Sequence, residues 1–424
     1  MKVFKFGGAS VKDAQGVKNV AEIVKQHLAE QPLLVISAMG KTTNALEEVL
    51  QAFFKRENNT QELLEKVREY HYSIAETLFP RENPVWDELE NLFAELYWAI
   101  EETQIKSYDY EYDQIVSVGE LLSTRIVAAY FELAGIPVQW LDARDLIRTD
   151  DTFREGNIDW EITQKQIHER VGKAKSSNPN VVVITQGFIG ATSENFSTTL
   201  GREGSDYSAA IFSYCLDASE MVIWKDVPGV LNADPKVFSD ATLIEELSYY
   251  DAIELAYYGA TVIHPKTIKP LQNKSIPLRV KSFVNPQLPG TRISTNDHRN
   301  AIPTYIQKNN QVLISISPRD FSFIIEENFK DIFKHISDVR LKVNLMQNSA
   351  LKFSVCVNDE TERLQAFLVE MQKRYIIKYN HNCTLLTVRN YSETLIERLT
   401  QHREILVETR SRNTVQMVLR QPNH

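Results

Sequence analysis

The sequence predicts an α/β fold with a mainly parallel sheet, followed by a smaller α+β module. Three observations carry that prediction. Short apolar runs alternate with helical patterns through the first two thirds of the chain. A polar stretch at 285–300 with Pro286, Pro289 and Gly290 then breaks the pattern. Finally, the 424 residues exceed what one hydrophobic core serves, so two or three domains are expected.

In chain order, the predicted strands are 3–6, 33–37, 114–118, 138–141, 181–185, 221–224 and 278–280, each a short run of apolar and β-branched residues. Helices fill the gaps, for example 119–133 and 205–216. The stretch from about 45 to 113 is rich in Glu, Lys, Leu and aromatic residues at helical spacing, with a single break near Pro80 and Pro84. It reads as an inserted helical excursion for packing and dimerisation, in which Leu89, Leu92, Phe93 and Leu96 are core. Beyond the break, 312–317, 329–335, 351–357, 362–374, 385–389, 393–399 and 415–419 read as βαββαβ with a remnant, and no clean repeat is visible. The expected division is a first domain at 1–290 and a second region at 305–424.

Composition is that of an ordinary globular protein, 43% hydrophobic and 24% charged. A formal charge of −9 argues against general nucleic-acid binding, which needs a basic surface to displace counterions; any phosphate site must be local. Cys215, Cys356 and Cys383 are too few and scattered for a disulfide framework or zinc site, which fits a reducing cytosol. The first residues hold no apolar signal core, and no run approaches the roughly 20 apolar residues of a membrane span. A soluble, cytoplasmic protein is expected.

Three segments carry chemistry. The first strand ends in Lys5-Phe6-Gly7-Gly8, where backbone N–H groups at a sharp turn can hold phosphate oxygens and Lys5 adds a point charge. Alone this is weak, because Gly-Gly after a strand is commonly only a turn. The second runs from Gly187-Phe188-Ile189-Gly190 to Gly201-Arg202-Glu203-Gly204-Ser205-Asp206-Tyr207. Ser and Asp suit a helix start, but capping does not explain an Arg between glycines. The third, Trp224 to Lys236, leaves a strand end as a loop of acids and lysines, where open α/β sheets bind ligands; a plain surface loop would read the same.

Together with 37–44, with Ser117-Val118-Gly119-Glu120 and with Gly259 to Pro265, these segments closely resemble the aspartate kinase branch of the amino-acid kinase family. The likeness covers nearly the whole first region, with several motifs in the same order. It implies a three-layer αβα domain that binds Mg-ATP and a small acid across the strand ends. The activity implied is transfer of the ATP γ-phosphoryl group to the side-chain carboxylate of L-aspartate, the first step toward lysine, threonine and methionine. The likeness implies Lys5 as catalytic lysine and Asp206 as the acid organising the lysines. It implies Thr43, Glu120 and Arg202 as aspartate ligands, with Ser37 and Ser205 nearby. For the nucleotide it implies Lys5, Gly7, Gly8, Lys225, Asp226, Leu231, Lys236 and the Thr261 position. Mg²⁺ would accompany ATP, with no residue of the chain assigned to it.

These roles suit the substrate. Aspartate carries two carboxylates and one ammonium, matched by a bidentate cation such as Arg202 and an anion such as Glu120. Its side-chain carboxylate, with a solution pKa of about 3.9, is already ionised, so no general base is needed. The chain departs from many relatives at Glu203 (Gly there), Leu231 (Tyr), Lys236 (Arg) and Thr261 (Lys), with Lys225 or Lys266 available to compensate. His264 reads as a helix or turn end.

The C-terminal region resembles the family's ACT-type effector domains, shortened and with Ala350 where relatives carry an acid. It implies binding of an effector such as lysine or threonine; a dimerisation domain without ligand fits equally. A homodimer or larger assembly is expected, monofunctional for want of length for a fused homoserine dehydrogenase. Two other readings stay open: a related acid kinase, and a catalytically silent amino-acid-sensing homologue.

Overall fold

The structure is a computed structural model that describes residues 1–260, 263–296, 302–320 and 322–420. Thr261 therefore lies outside the described residues. The chain forms two compact units. One comprises the described residues of Met1–Val230, Leu243–Ile253 and Val262–His298, the other those of Leu231–Thr242, Glu254–Thr261 and Arg299–His424.

The elements begin β1 (Lys2–Phe6), α1 (Ala14–Gln26), β2 (Leu33–Ile36), α2 (Thr42–Phe54), α3 (Thr60–Leu78), α4 (Val85–Glu101), α5 (Tyr108–Val116) and α6 (Val118–Leu133). Next come β3 (Val138–Trp140), α7 (Trp160–Ser177), β4 (Val182–Gln186), β5 (Ile189–Ala191), β6 (Ser197–Thr199), α8 (Gly204–Cys215) and β7 (Glu220–Lys225). Then follow β8 (Glu246–Ser248), α9 (Tyr249–Tyr258), α10 (Pro265–Asn273), β9 (Leu278–Ser282) and β10 (Thr291–Ser294).

In the first unit, eight strands lie in the order β3-β4-β2-β1-β7-β9-β10-β8, parallel except for the β9–β10 pair. Helices cover both faces, so the strands are apolar on both sides. Phe4, Phe6, Leu34, Ile36, Val222 and Trp224 belong to the large core that also holds α1 and α6 residues. Successive strand side chains alternate between faces, so the odd-numbered Lys5 leaves that core for the other face, where α8 packs against β1.

The run 114–118, expected as a strand, is helical, forming the end of α5 and the start of α6. Ile115, Val116 and Val118 are all buried in the large core, and a short buried apolar run does not distinguish strand from helix. The Ser107 hydroxyl, accepting from Tyr110 N at 3.3 Å, caps α5 and helps settle the choice. The helical excursion is present, but with two breaks besides the expected one, after α2 and after α4. Among the described residues no helix is long and apolar enough to cross a membrane.

The second unit holds β11 (Thr304–Pro318), α11 (Glu326–Asp338), β12 (Val343–Asn348), β13 (Phe353–Asn358), α12 (Thr361–Gln372), β14 (Tyr375–Arg389), α13 (Glu393–Thr400), β15 (Glu404–Arg410) and β16 (Thr414–Arg420). The expected βαββαβ is there, and the remnant is a helix and two strands that complete a six-stranded antiparallel sheet, β12-β13-β11-β14-β16-β15. β11 and β14 pair along 15 residues each, with bulges between Lys308 and Gln311 and between Gln311 and Leu313. Residues 231–242 join this unit through Ala233 and Phe238, which pack with Tyr305 and Leu386.

Candidate active site

The strand ends of the first unit open into a cleft of about 900 Å³. Its floor is a charge cluster. Lys5 Nζ lies 2.7 Å from Asp206 Oδ1, and Lys225 Nζ lies 3.8 Å from Asp206 Oδ2. Each comes from a neighbouring element: Lys5 from β1, Lys225 from the end of adjacent β7, and Asp206 from the first turn of α8. Burial alone would raise the Asp206 carboxyl, but the Lys5 and Lys225 ammoniums outweigh it and hold the group below the usual carboxylate range. One carboxylate thus holds the Lys5 and Lys225 side chains facing the same space.

Glycines bring these elements close. A Cβ at Gly8 would lie 2.7 Å from Ala38 O, and one at Gly187 would lie 2.5 Å from Ser205 Cβ, so the first strand–turn and the start of α8 pack against backbone. Gly201 (φ 76°) and Glu203 (φ 54°) are both left-handed, which wraps the chain around Arg202 before α8 begins. Lys266 Nζ donates to Leu200 O at 3.0 Å, tying α10 to this loop. The His264 imidazole accepts from Lys266 N at 3.2 Å as the cap of α10.

Glu120 faces the cleft from the first turn of α6. Gly119 lets that helix lie against α2, where a Cβ would meet Thr42 Cγ2 at 3.0 Å and Leu46 Cδ1 at 3.1 Å. The Glu120 carboxyl is pushed up to about 8 by burial, against the opposing Ala38 N–H and the charge of Lys5. Its Oε2 has no hydrogen-bond partner among the described residues. A buried acceptor without a donor is costly, and here it points to a cationic ligand.

Of the residues expected from sequence, Lys5, Gly8, Ser37 and Thr43 line the cleft, as do Glu120, Arg202, Ser205, Asp206 and Lys225. Gly7 adjoins them, its hypothetical Cβ 3.4 Å from Lys5 Nζ. Asp226 follows β7 as an exposed residue outside this lining. Leu231 and Lys236 belong to the second unit. Sequence reasoning missed Asp109, Tyr112, Arg154 and Phe188, which also line the cleft. Only Phe188 sat within a motif; the others lie in segments without local signature.

The cleft can therefore hold an ammonium at Glu120, carboxylates at arginines, and a polyanion over the Lys5–Lys225 pair. Among the described residues no three His, Cys, Asp or Glu groups gather to hold a metal ion.

Comparison with known proteins fits this arrangement. Residues 1–282 match the amino acid kinase family. The chain is 33% identical over 388 residues to the chloroplastic aspartokinase 1 of Arabidopsis thaliana, covering 89% of this chain and 66% of that protein. It is 35% identical over 296 residues to the lysine-sensitive aspartokinase 3 of Escherichia coli K12, covering 69% and 63%. The chain spans only 42% of some relatives, which are bifunctional aspartokinase/homoserine dehydrogenases. A crystal structure of E. coli aspartokinase III with lysine and aspartate superposes with a TM-score of 0.84 at 26% identity, covering 99% of this chain and 95% of that one.

Proposed function

Because the chain belongs to the amino acid kinase family, we propose that it is an aspartate kinase, transferring the γ-phosphoryl group of ATP to the side-chain carboxylate of L-aspartate to give 4-phospho-L-aspartate. One observation carries the reading: the Lys5–Asp206–Lys225 cluster shares a cleft with Arg202 and with the Glu120 carboxyl, whose Oε2 has no hydrogen-bond partner among the described residues. The aspartokinase relatives support it, one of them solved with aspartate and ADP.

Glu120 Oε2 receives the aspartate ammonium, with Thr43, Ser37 and Ser205 completing the polar wall. Arg202 takes the α-carboxylate in a bidentate grip. The side-chain carboxylate then faces the γ-phosphate, and the barrier is repulsion between two anions. Lys5 and Lys225 offset that repulsion, and Asp206 holds both ammoniums in place throughout the transfer. The nucleophile is already ionised, so no residue need remove a proton. Mg²⁺ bound with ATP would supply further neutralisation of the phosphates; among the described residues no three His, Cys, Asp or Glu groups gather to hold it, which suits an ion carried in on ATP and keeping its waters. Gly7, Gly8 and Asp226 complete the nucleotide side.

The second unit is read as an ACT-like effector and pairing module, with lysine or threonine as ligand and a homo-oligomer as the working state. The lysine-sensitive relative and the lysine-bound structure support this. A place in amino-acid biosynthesis and a cytoplasmic setting complete the reading, although the plant relatives are chloroplastic.

The test is incubation with Mg-ATP and aspartate or glutamate, trapping acyl phosphate with hydroxylamine. Aspartate should give hydroxamate; signal from glutamate alone overturns the acceptor, and no signal with ATP bound favours a silent sensor. Lys5→Ala should lower turnover at least about a hundredfold while the circular dichroism spectrum stays unchanged, since Lys225 still faces Asp206. Undiminished activity refutes the role of Lys5.

A further inference from the structure

We propose that Asp113 is a positioning residue for the acceptor pocket, holding in one grip the two loops that carry Arg154 and Arg202. The inference rests on the aspartate kinase reading above.

Asp113 lies on α5, wholly buried. Its Oδ2 accepts from Arg154 N and from Thr199 N, both at 2.9 Å, and its Oδ1 accepts from Thr199 Oγ1 at 2.7 Å. Gly156 N donates to Thr199 O at 2.9 Å, closing a ring of bonds between the 152–156 loop and the end of β6. Thr199 stands three residues before Arg202. The loops also touch directly: a Cβ at Gly201 would lie 3.3 Å from both Arg154 O and Glu155 Cγ.

Arg154 adopts φ 68°, a left-handed conformation that L side chains avoid. The bond from its N–H to Asp113 holds it there. Its guanidinium lies 4.5 Å above the centre of the Tyr112 ring and donates to Asp109 Oδ1 at 3.2 Å. Asp109, Tyr112 and Asp113 share one face of α5 by their spacing, so a single helix face fixes both backbone and side chain of Arg154. Arg154 then lines the cleft together with Arg202.

An acceptor with two carboxylates needs cations set at a fixed separation, and fixing them before binding spares the cost of ordering them afterwards. All three groups around the Asp113 carboxyl donate, which only a carboxylate can satisfy in full. Burial pushes the group up to about 6 while the bonds from Thr199 and Arg154 oppose that. A residue that merely filled space would not carry that cost.

Asp113→Asn keeps the volume and turns one acceptor into a donor; Thr199→Val removes only the hydroxyl. Steady-state kinetics of both variants, the double variant and the wild type, with aspartate and Mg-ATP varied in turn, test the latch. The expected result is a KM for aspartate raised about tenfold in Asp113→Asn and less in Thr199→Val. The KM for ATP and kcat should stay within about twofold, and the double variant should be little worse than Asp113→Asn alone. A purely structural role would lower melting temperature and kcat without separating the two KM values, and that result overturns the proposal. If Asp113→Asn does not fold, Thr199→Val decides: an unchanged KM for aspartate sinks the latch. An active wild type with unaltered variants sinks the latch alone, whereas a wild type inert toward aspartate sinks the kinase reading and the latch with it.

Discussion

Glu120 joins its burial to a pH dependence with a definite sign. Its carboxyl sits near 8 in the folded chain against an ordinary 4.5, so the folded protein holds an extra proton between those values. Stability therefore falls as pH rises through that window, and the group is largely protonated at neutral pH until an ammonium arrives. On the aspartate kinase reading, Glu120 must ionise before aspartate binds, so kcat/KM for aspartate should climb between pH 6.5 and 8.5, as read with the hydroxamate assay across buffers of matched ionic strength. Glu120→Gln should flatten that limb, raise the KM for aspartate, and melt higher than wild type at alkaline pH. Glu203 offers a second test at this scale. Its left-handed φ of 54° costs a side-chain-bearing residue about 1–2 kcal/mol, and Gly recovers part of it, so Glu203→Gly should gain about 0.5–1 kcal/mol in urea denaturation. Lys5, Glu120, Arg202 and Asp206 were legible because each sits in a short motif of glycines and charges. Arg154 and Asp113 were not, because their placement depends on bonds spanning 41 and 86 residues, which no local window contains.

The site depends on two helix starts being set against the sheet without intervening side chains. Phe188 N donates to Ser208 Oγ at 2.9 Å, and Gly187 lies directly against Ser205, so the loop after β4 and the first turn of α8 form one piece. Gly187→Ala would force α8 away from β4 and carry Asp206 with it. We expect a loss of about 1–3 kcal/mol in stability and at least tenfold in turnover, measured by thermal melts and initial rates. Strands buried on both faces and alternating with helices announced themselves in the sequence. The α5–α6 junction did not, since Ile115, Val116 and Val118 are all buried in the large core and periodicity is silent on such a run.

For the whole molecule, the testable claim is that the second unit governs the first. Activity titrated against lysine, threonine and methionine, singly and combined, should fall with lysine or threonine; flat curves would leave the unit as a pairing module alone. Most of the βαββαβ half was readable from its alternating segments, but β12, a sheet-edge strand that buries only Leu345, was not among them. Of the completing elements, 393–399 and 415–419 were expected and only β15 was missed, because its first residues Glu404 and Ile405 are exposed and the strand lacks a clear period of two. The interleaving of 231–242 with the second unit also escaped notice, since Ala233 and Phe238 find their partners far along the chain.

The central place of β1 has a consequence for the order of assembly. β1 is bonded on one side to β2 and on the other to β7, with Lys5 opposite Val35 and Ile223. The second pairing joins residues more than two hundred positions apart, and such distant contacts are slow to form because a long loop must close first. During synthesis, β1 thus remains a sheet edge with open backbone groups until β7 has emerged, exposed to misplaced pairing in the interval. The same docking event that seals this edge brings Lys225 to Asp206 beside Lys5, so the charge cluster of the cleft is completed together with protection of the nascent sheet.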